Sequence, residues 1–379
     1  MKINRLHFIA FIFLITLSCK KEKLVDHSIN LHFTKMYEAD NWTNAKTGLL
    51  WTLSFLGAEL KRNSFDSAIK WIDSTKFTLD FTRVGFSENS LKALKIISDS
   101  LKNTNEYFSK NAIDLGAFVS LVLGSSTHYY KITNADAEIS QKLKMYANRQ
   151  PVIFPVTKSL VSKHTRVLKL YTQGKYTNWL FIAEEGTGDI TKNTFKVSGY
   201  ELFDIMPNGQ LRFAIYNSQQ ELITASPKNL SEAGKPAKCL WCHEQFIQPL
   251  FTKNDSTNGY ISPNQFQLIV KKLMDTLSTY RNKIESDIDY SKTQDHSMVE
   301  RLYLGYMEPS LLQLSNEWGI SITNLKNILK HNRTHKHYEF SFFGDIYFRD
   351  SINMFAPFKP CINPFDVRED CAKEPNFMN

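Results

Sequence analysis

Residues 200–216 read YELFDIMPNGQLRFAIY, and the architecture turns on them. Two β-rich runs, Tyr200 to Met206 and Gln210 to Tyr216, flank Pro207-Asn208-Gly209. Asn-Gly between such runs is the strongest short-range signal for a β-hairpin. Upstream, Val167 to Tyr171 and Trp179 to Ile182 also read as strands, and the period of the apolar pattern changes after Pro155. Gly186-Thr187-Gly188 falls between strands and reads as a turn. Residues 155–220 are therefore predicted to form a small antiparallel sheet.

On either side the period is helical. Leu49, Leu50, Leu53, Leu56 and Leu60 recur at helical spacing, as do Leu91, Leu94, Ile97 and Leu101 behind a cap at Asn89 or Ser90. Asp114 to Leu123 reads as a further short helix. After 260, Ser262 is a good N-cap with Pro263 at N1. Phe266, Ile269, Val270, Leu273, Leu277, Tyr280 and Ile284 follow along one face. A second helix from about Asp295 to Glu308 must end or kink at Pro309, and a third covers Thr323 to Lys330. The tail from Tyr338 is aromatic and irregular, with a short strand. The class is α+β and mostly helical: a helical part over 41–150, an antiparallel β part over 151–230, and a helical part over 231–379.

The chain has 379 residues, 42% of them hydrophobic, so it can build a large packed core. That excludes a disordered or collagenous chain. Only one long apolar run exists, at the N-terminus, which excludes a polytopic membrane protein. Lys and Arg number 46 against 38 acidic residues, a net charge of +8. No basic run is interleaved with aromatics, so no nucleic-acid groove is expected.

The N-terminus reads as an address. Lys2 and Arg5 precede an apolar run from Leu6 to Leu17. These residues span roughly 18 Å as a helix, too short for a hydrocarbon core of about 30 Å. They fit the apolar region of a signal peptide over 1–18. Its end, Thr16-Leu17-Ser18-Cys19, resembles the lipobox of bacterial lipoproteins, with Thr16 where that family usually has Leu. The resemblance implies lipidation of Cys19 and anchoring to the outer membrane, on its periplasmic or cell-surface side. Residues 19–40 then form a tether, whose Lys20-Lys21-Glu22-Lys23 is of the kind common in lipoproteins of the Bacteroidota. Loss of Lys2 and Arg5 would leave 44 basic against 38 acidic residues, or +6.

Chemistry concentrates in Cys239-Leu240-Trp241-Cys242-His243, a C-x-x-C-H motif. Haem c attachment needs two thiols to add across the porphyrin vinyl groups and a following His to reach the iron. Three other readings compete. A zinc site needs a second ligand pair, and His331, His335 and His337 sit in what looks like a basic, solvated turn. A thioredoxin-like pair should open a helix within a βαβ pattern, whereas Gly234-Lys235-Pro236 precedes this motif. A plain short-loop disulfide is the third.

Through these residues the chain resembles c-type cytochromes as a class. The run Gly234 to Phe251 is also similar to a monohaem module of exported bacterial proteins. The resemblance implies one covalent haem c on Cys239 and Cys242 with His243 as proximal ligand, and makes 231–379 the haem-binding part. Trp241, Phe246, Ile247, Pro249, Leu250 and Phe251 supply apolar cover. His296 and Met298 are the leading candidates for a distal ligand, ahead of Met307 and His128, beside an open site; Met274 reads as core. Lys235, Lys238 and Lys253 are placed to steer acidic partners. Cys361 and Cys371 are expected to pair as a disulfide, which assigns every cysteine of the chain. Three functions follow: an electron-transfer lipoprotein with an unknown redox partner, a haem enzyme or small-ligand sensor with an open distal site, or an accessory interaction subunit.

Overall fold

The computed structural model describes residues 25–249, 251, 254–292, 295–358 and 374–378. Cys19, Cys361 and Cys371 lie outside these residues, as do Leu250 and Lys253.

The described chain opens with β1 (Ser28–His32), inside the stretch read as a tether. Alternation along β1 buries Ile29 and Leu31. It is joined by β2 (Ile69–Trp71), β3 (Lys76–Asp80) and β4 (Ile113–Asp114) in a sheet ordered β2-β3-β1-β4. β1 pairs antiparallel with β3, Ile29 opposite Leu79, and parallel with β4. The region 41–150 is therefore not purely helical. All four strands have five residues or fewer, too short for period-2 alternation to stand out from helical spacing.

Around this sheet pack α1 (Trp42–Phe55), α2 (Ser64–Ala68), α3 (Glu88–Lys102), α4 (Asn105–Lys110), α5 (Leu115–Gly124), α6 (Ser126–Thr133) and α7 (Ile139–Lys144). The cap of α3 is Ser87, not Asn89 or Ser90: its side chain accepts from Ser90 N at 3.2 Å. Every residue of α5 is buried, so this helix is apolar all round. Asp114 caps it, accepting from Ala117 N at 3.0 Å.

The second sheet is an antiparallel meander of β5 (Val152–Val156), β6 (Thr165–Tyr171), β7 (Leu180–Thr187), β8 (Lys196–Ile205) and β9 (Leu211–Asn217). The predicted hairpin joins β8 to β9. Gly209 takes φ +87°, and its N–H donates to Met206 O at 2.9 Å across Pro207 and Asn208. That closes a type I turn with Pro at its second position and a left-handed Gly after it. Asn208 folds inward, donating to Ser54 O at 2.8 Å and Ala58 O at 2.9 Å, and so locks the turn onto the end of α1.

The C-terminal part holds α8 (Pro236–His243), α9 (Pro263–Arg281), α10 (Ser297–Met307), α11 (Leu311–Trp318), α12 (Ile322–Ile328) and α13 (Arg349–Ile352). Ser262 and Gln265 form a capping box at the start of α9. α10 packs against α1 and α5 at close range. A Cβ on Gly48 would lie 2.6 Å from Met298 O, and one on Gly116 would lie 2.7 Å from Leu302 O. One continuous apolar core runs from Ile29 through both sheets to Ile346, and α11 and α12 close a smaller second core around Leu314 and Trp318.

Among the described residues, no helix is long and apolar enough to cross a membrane. Of the three C-terminal histidines, His331 lies in an exposed turn as expected, but His335 and His337 do not. His335 Nε2 lies 2.8 Å from Glu308 Oε2 and its ring stacks on Phe348, while buried His337 accepts from the N–H groups of Glu339 and Phe340.

Candidate functional site, a cleft on the C-x-x-C-H helix

The motif occupies the last turns of α8, which starts with Pro236 at N1. At about 100° per residue, Cys239, Cys242 and His243 share a face roughly 100° wide, with Trp241 on the opposite face. The packing follows this division. Trp241 meets the Tyr303 ring of α10 at 5.8 Å, and Glu244 Oε1 lies 3.2 Å from His296 Nε2. Cys239 and His243 instead face a cleft between α8, α9 and the inner face of the five-stranded sheet. The helix stops at Glu244, whose φ of +55° with ψ −110° is strained for a residue with a Cβ.

The cleft holds about 820 Å³, part of it open to solvent. Strand register arranges its sheet wall in rows. Leu170, Phe181, Phe203 and Phe213 form the first row, paired across β6 to β9. The His243 ring lies 5.6 Å from Phe203 and 5.4 Å from Phe213. The second row is Leu168, Ala183, Glu201 and Ile215. In the third, Arg166 stands opposite Glu185. α9 and the segment after α8 form the other wall, where Phe266 and Phe251 stack with Phe154 of β5.

The sheet wall is thus apolar at His243 and charged at its far end. Arg166 Nη2 donates to Glu201 Oε2 at 2.6 Å, and Arg166 Nε donates to Glu185 Oε1. Ser162 Oγ donates to Glu185, and Ser226 Oγ donates to Glu201 at 3.2 Å. The Glu185 side chain is 1% exposed. Burial pushes its carboxyl up to about 7; Arg166 pulls it down, and the neighbouring Glu201 charge raises it further.

His243 is held neutral. Burial pushes its pKa down to about 4, offset only in part by the Phe246 backbone, and its Nδ1 is buried with no hydrogen bond. Burial raises the Cys239 thiol, and Glu201 adds to the shift. Both cysteines are free thiols and are not bonded to each other.

The structure does not bring the distal candidates to this cleft. His296 sits on Glu244, behind α8, with its ring 6.5 Å from Trp51. Met298 lines a separate cavity between α1, α5 and α10. Met307 is buried in the core. His128 is saturated: its Nε2 accepts from Phe377 N at 2.9 Å and its Nδ1 lies 3.3 Å from Leu121 O. Of the apolar flank, Ile247, Pro249 and Phe251 line the cleft. Lys235 cannot steer a partner. It is fully buried and donates to Glu374 Oε2 at 2.7 Å. Lys238 turns back onto the Glu232 carbonyl.

Arg166, Glu185 and Glu201 were not foreseen. The signal was available: charged residues at inward positions of strands whose neighbours two residues along are apolar.

These residues fit a covalently held haem. A half-buried neutral imidazole whose Nδ1 is buried and without a hydrogen bond keeps a lone pair for a metal. The motif's thiols share its helix face, and the apolar half of the cleft suits a porphyrin. Zinc fits less well: among the described residues no three His, Cys, Asp or Glu side chains converge to hold a metal ion. Set against protein-family models, curated proteins and solved structures, the chain matches none.

Proposed function

We propose that this chain is a monohaem c-type cytochrome of the cell envelope, lipid-anchored through Cys19, that carries single electrons at the membrane surface. The observation that carries the reading is the C-x-x-C-H helix presenting Cys239 and His243 to a largely apolar cleft. Haem c, when bound, supplies a one-electron iron centre. The chain's own residues do the rest. Cys239 and Cys242 would hold the porphyrin, and His243 would ligate its iron. Phe203 and Phe213 fix the imidazole plane. Phe251, Phe266 and Ile247 would shield the group from water, and the solvent-open side of the cleft would admit a redox partner. A Cys361–Cys371 disulfide would staple the tail, in keeping with an oxidising compartment. The test is an optical spectrum of full-length protein expressed with haem c maturation machinery. A haem c α-band in the reduced protein is expected, and its absence would sink the proposal.

A further inference from the structure

Resting on that reading, we infer that the cleft also binds a neutral diatomic ligand, of the carbon monoxide or nitric oxide class, because among the described residues its lining offers one ligating residue, His243, and no second. Among the described residues lining the cleft, His243 is the only His, Met or Lys. Among the described residues, the candidates for a distal ligand lie away from the cleft or are engaged elsewhere. His296 faces Glu244 behind the helix, and both nitrogens of His128 are occupied. The Met274 sulfur accepts from Ile247 N at 2.9 Å, and Met298 and Met307 lie on α10 outside the cleft.

The cleft wall decides which exogenous ligand is favoured, since the polarity and donors around a haem select between ligand binding and electron transfer. Most of that wall is apolar, including Leu168, Ala183 and Ile215. Its one cation, Arg166, is already matched by two carboxylates, Glu185 and Glu201. The cluster therefore carries no net positive charge to hold an anion. Arg166 Nη1 has no acceptor among the described residues, so a guanidinium donor remains for a weakly polar ligand. Neutral diatomics fit this wall; azide and fluoride do not.

The test uses the full-length, matured protein in detergent. Covalent haem is first established by an alkaline pyridine spectrum. Carbon monoxide is then added to the reduced protein, and azide to the oxidised protein. The expected result is a saturable Soret shift with carbon monoxide and weak azide binding. Azide should bind about ten-fold more tightly to Glu201→Gln, the effect of one unit charge at roughly 10 Å in an effective dielectric of about 20. Covalent haem that is six-coordinate, low-spin and indifferent to carbon monoxide overturns the inference and leaves the haem reading intact. Azide binding to the unsubstituted protein as tightly as to Glu201→Gln overturns the charge argument. Absence of covalent haem overturns both readings. The carbon monoxide arm needs no variant, so it stands whether or not Glu201→Gln folds.

Discussion

Glu374→Gln tests how the C-terminal segment is tied to the motif helix. Lys235 immediately precedes α8 and is 0% exposed; the Glu374 side chain is 5% exposed, and the two lie 2.7 Å apart. The same carboxylate accepts from Thr127 N at 2.8 Å and Ser125 Oγ at 3.3 Å, while Ser125 Oγ also donates to Pro375 O. Glu374 thus joins three elements: the tail, the start of α6 and the lead-in to α8. Burial pushes its pKa up, but the Lys235 ammonium more than offsets this and leaves it below the usual carboxylate value. Glutamine can still accept from Thr127, yet it leaves the ammonium in the interior without its carboxylate. Removing one partner of a buried pair costs about 3–5 kcal/mol. Lys235→Met should cost a similar amount for the mirror reason. The double variant should return to within about 1–2 kcal/mol of the parent, because a buried pair replaced whole is close to neutral. Urea unfolding at pH 7, followed by tryptophan fluorescence, measures all four corners of this cycle. A Glu374→Gln cost under about 1 kcal/mol, or single costs that simply add in the double variant, would refute the reasoning.

Gly48→Ala and Gly116→Ala each drive a methyl group into the α10 backbone, and each should lower stability by about 1–3 kcal/mol in urea unfolding. Glu185 makes stability fall as pH rises. Its folded-state pKa of about 7 lies above the unfolded value of 4.5, so the folded form alone keeps the proton between them, and that advantage disappears as pH climbs through 7. The loss is on the order of 1–3 kcal/mol, and a pH series of denaturation midpoints for Glu185→Gln should lack it. Asn208→Ala leaves Ala58 O without its donor and removes one of the donors to Ser54 O, and should cost about 1–3 kcal/mol, read as a drop in urea midpoint.

The β8–β9 hairpin was legible because its turn chemistry is local: Pro207, Asn208 and Gly209 act within four residues of one another. So was the start of α9, where Ser262, Pro263 and Gln265 form a contiguous cap. β1 to β4 were not, since a sheet whose β1 pairs with Ile113 and Asp114 more than 80 residues away leaves no local trace. Most of the cleft was illegible for the same reason. Arg166, Glu185 and Glu201 come from three strands and meet only through register. Lys235 misled because a lysine beside a motif looks like surface charge, and its partner Glu374 is 139 residues further on. The histidines at 335 and 337 misled likewise: basic neighbours suggested solvent, while Glu308 and the Phe340 N–H group bring them into packed structure.

The central claim is that Cys239 and Cys242 hold one haem. Intact-mass analysis of the matured full-length protein, beside its Cys239→Ala/Cys242→Ala variant, tests it most directly. A mass increase of one haem that survives denaturation is expected in the parent and is expected to be missing from the double variant. An unmodified parent chain, or a double variant that still carries covalent haem, would contradict it.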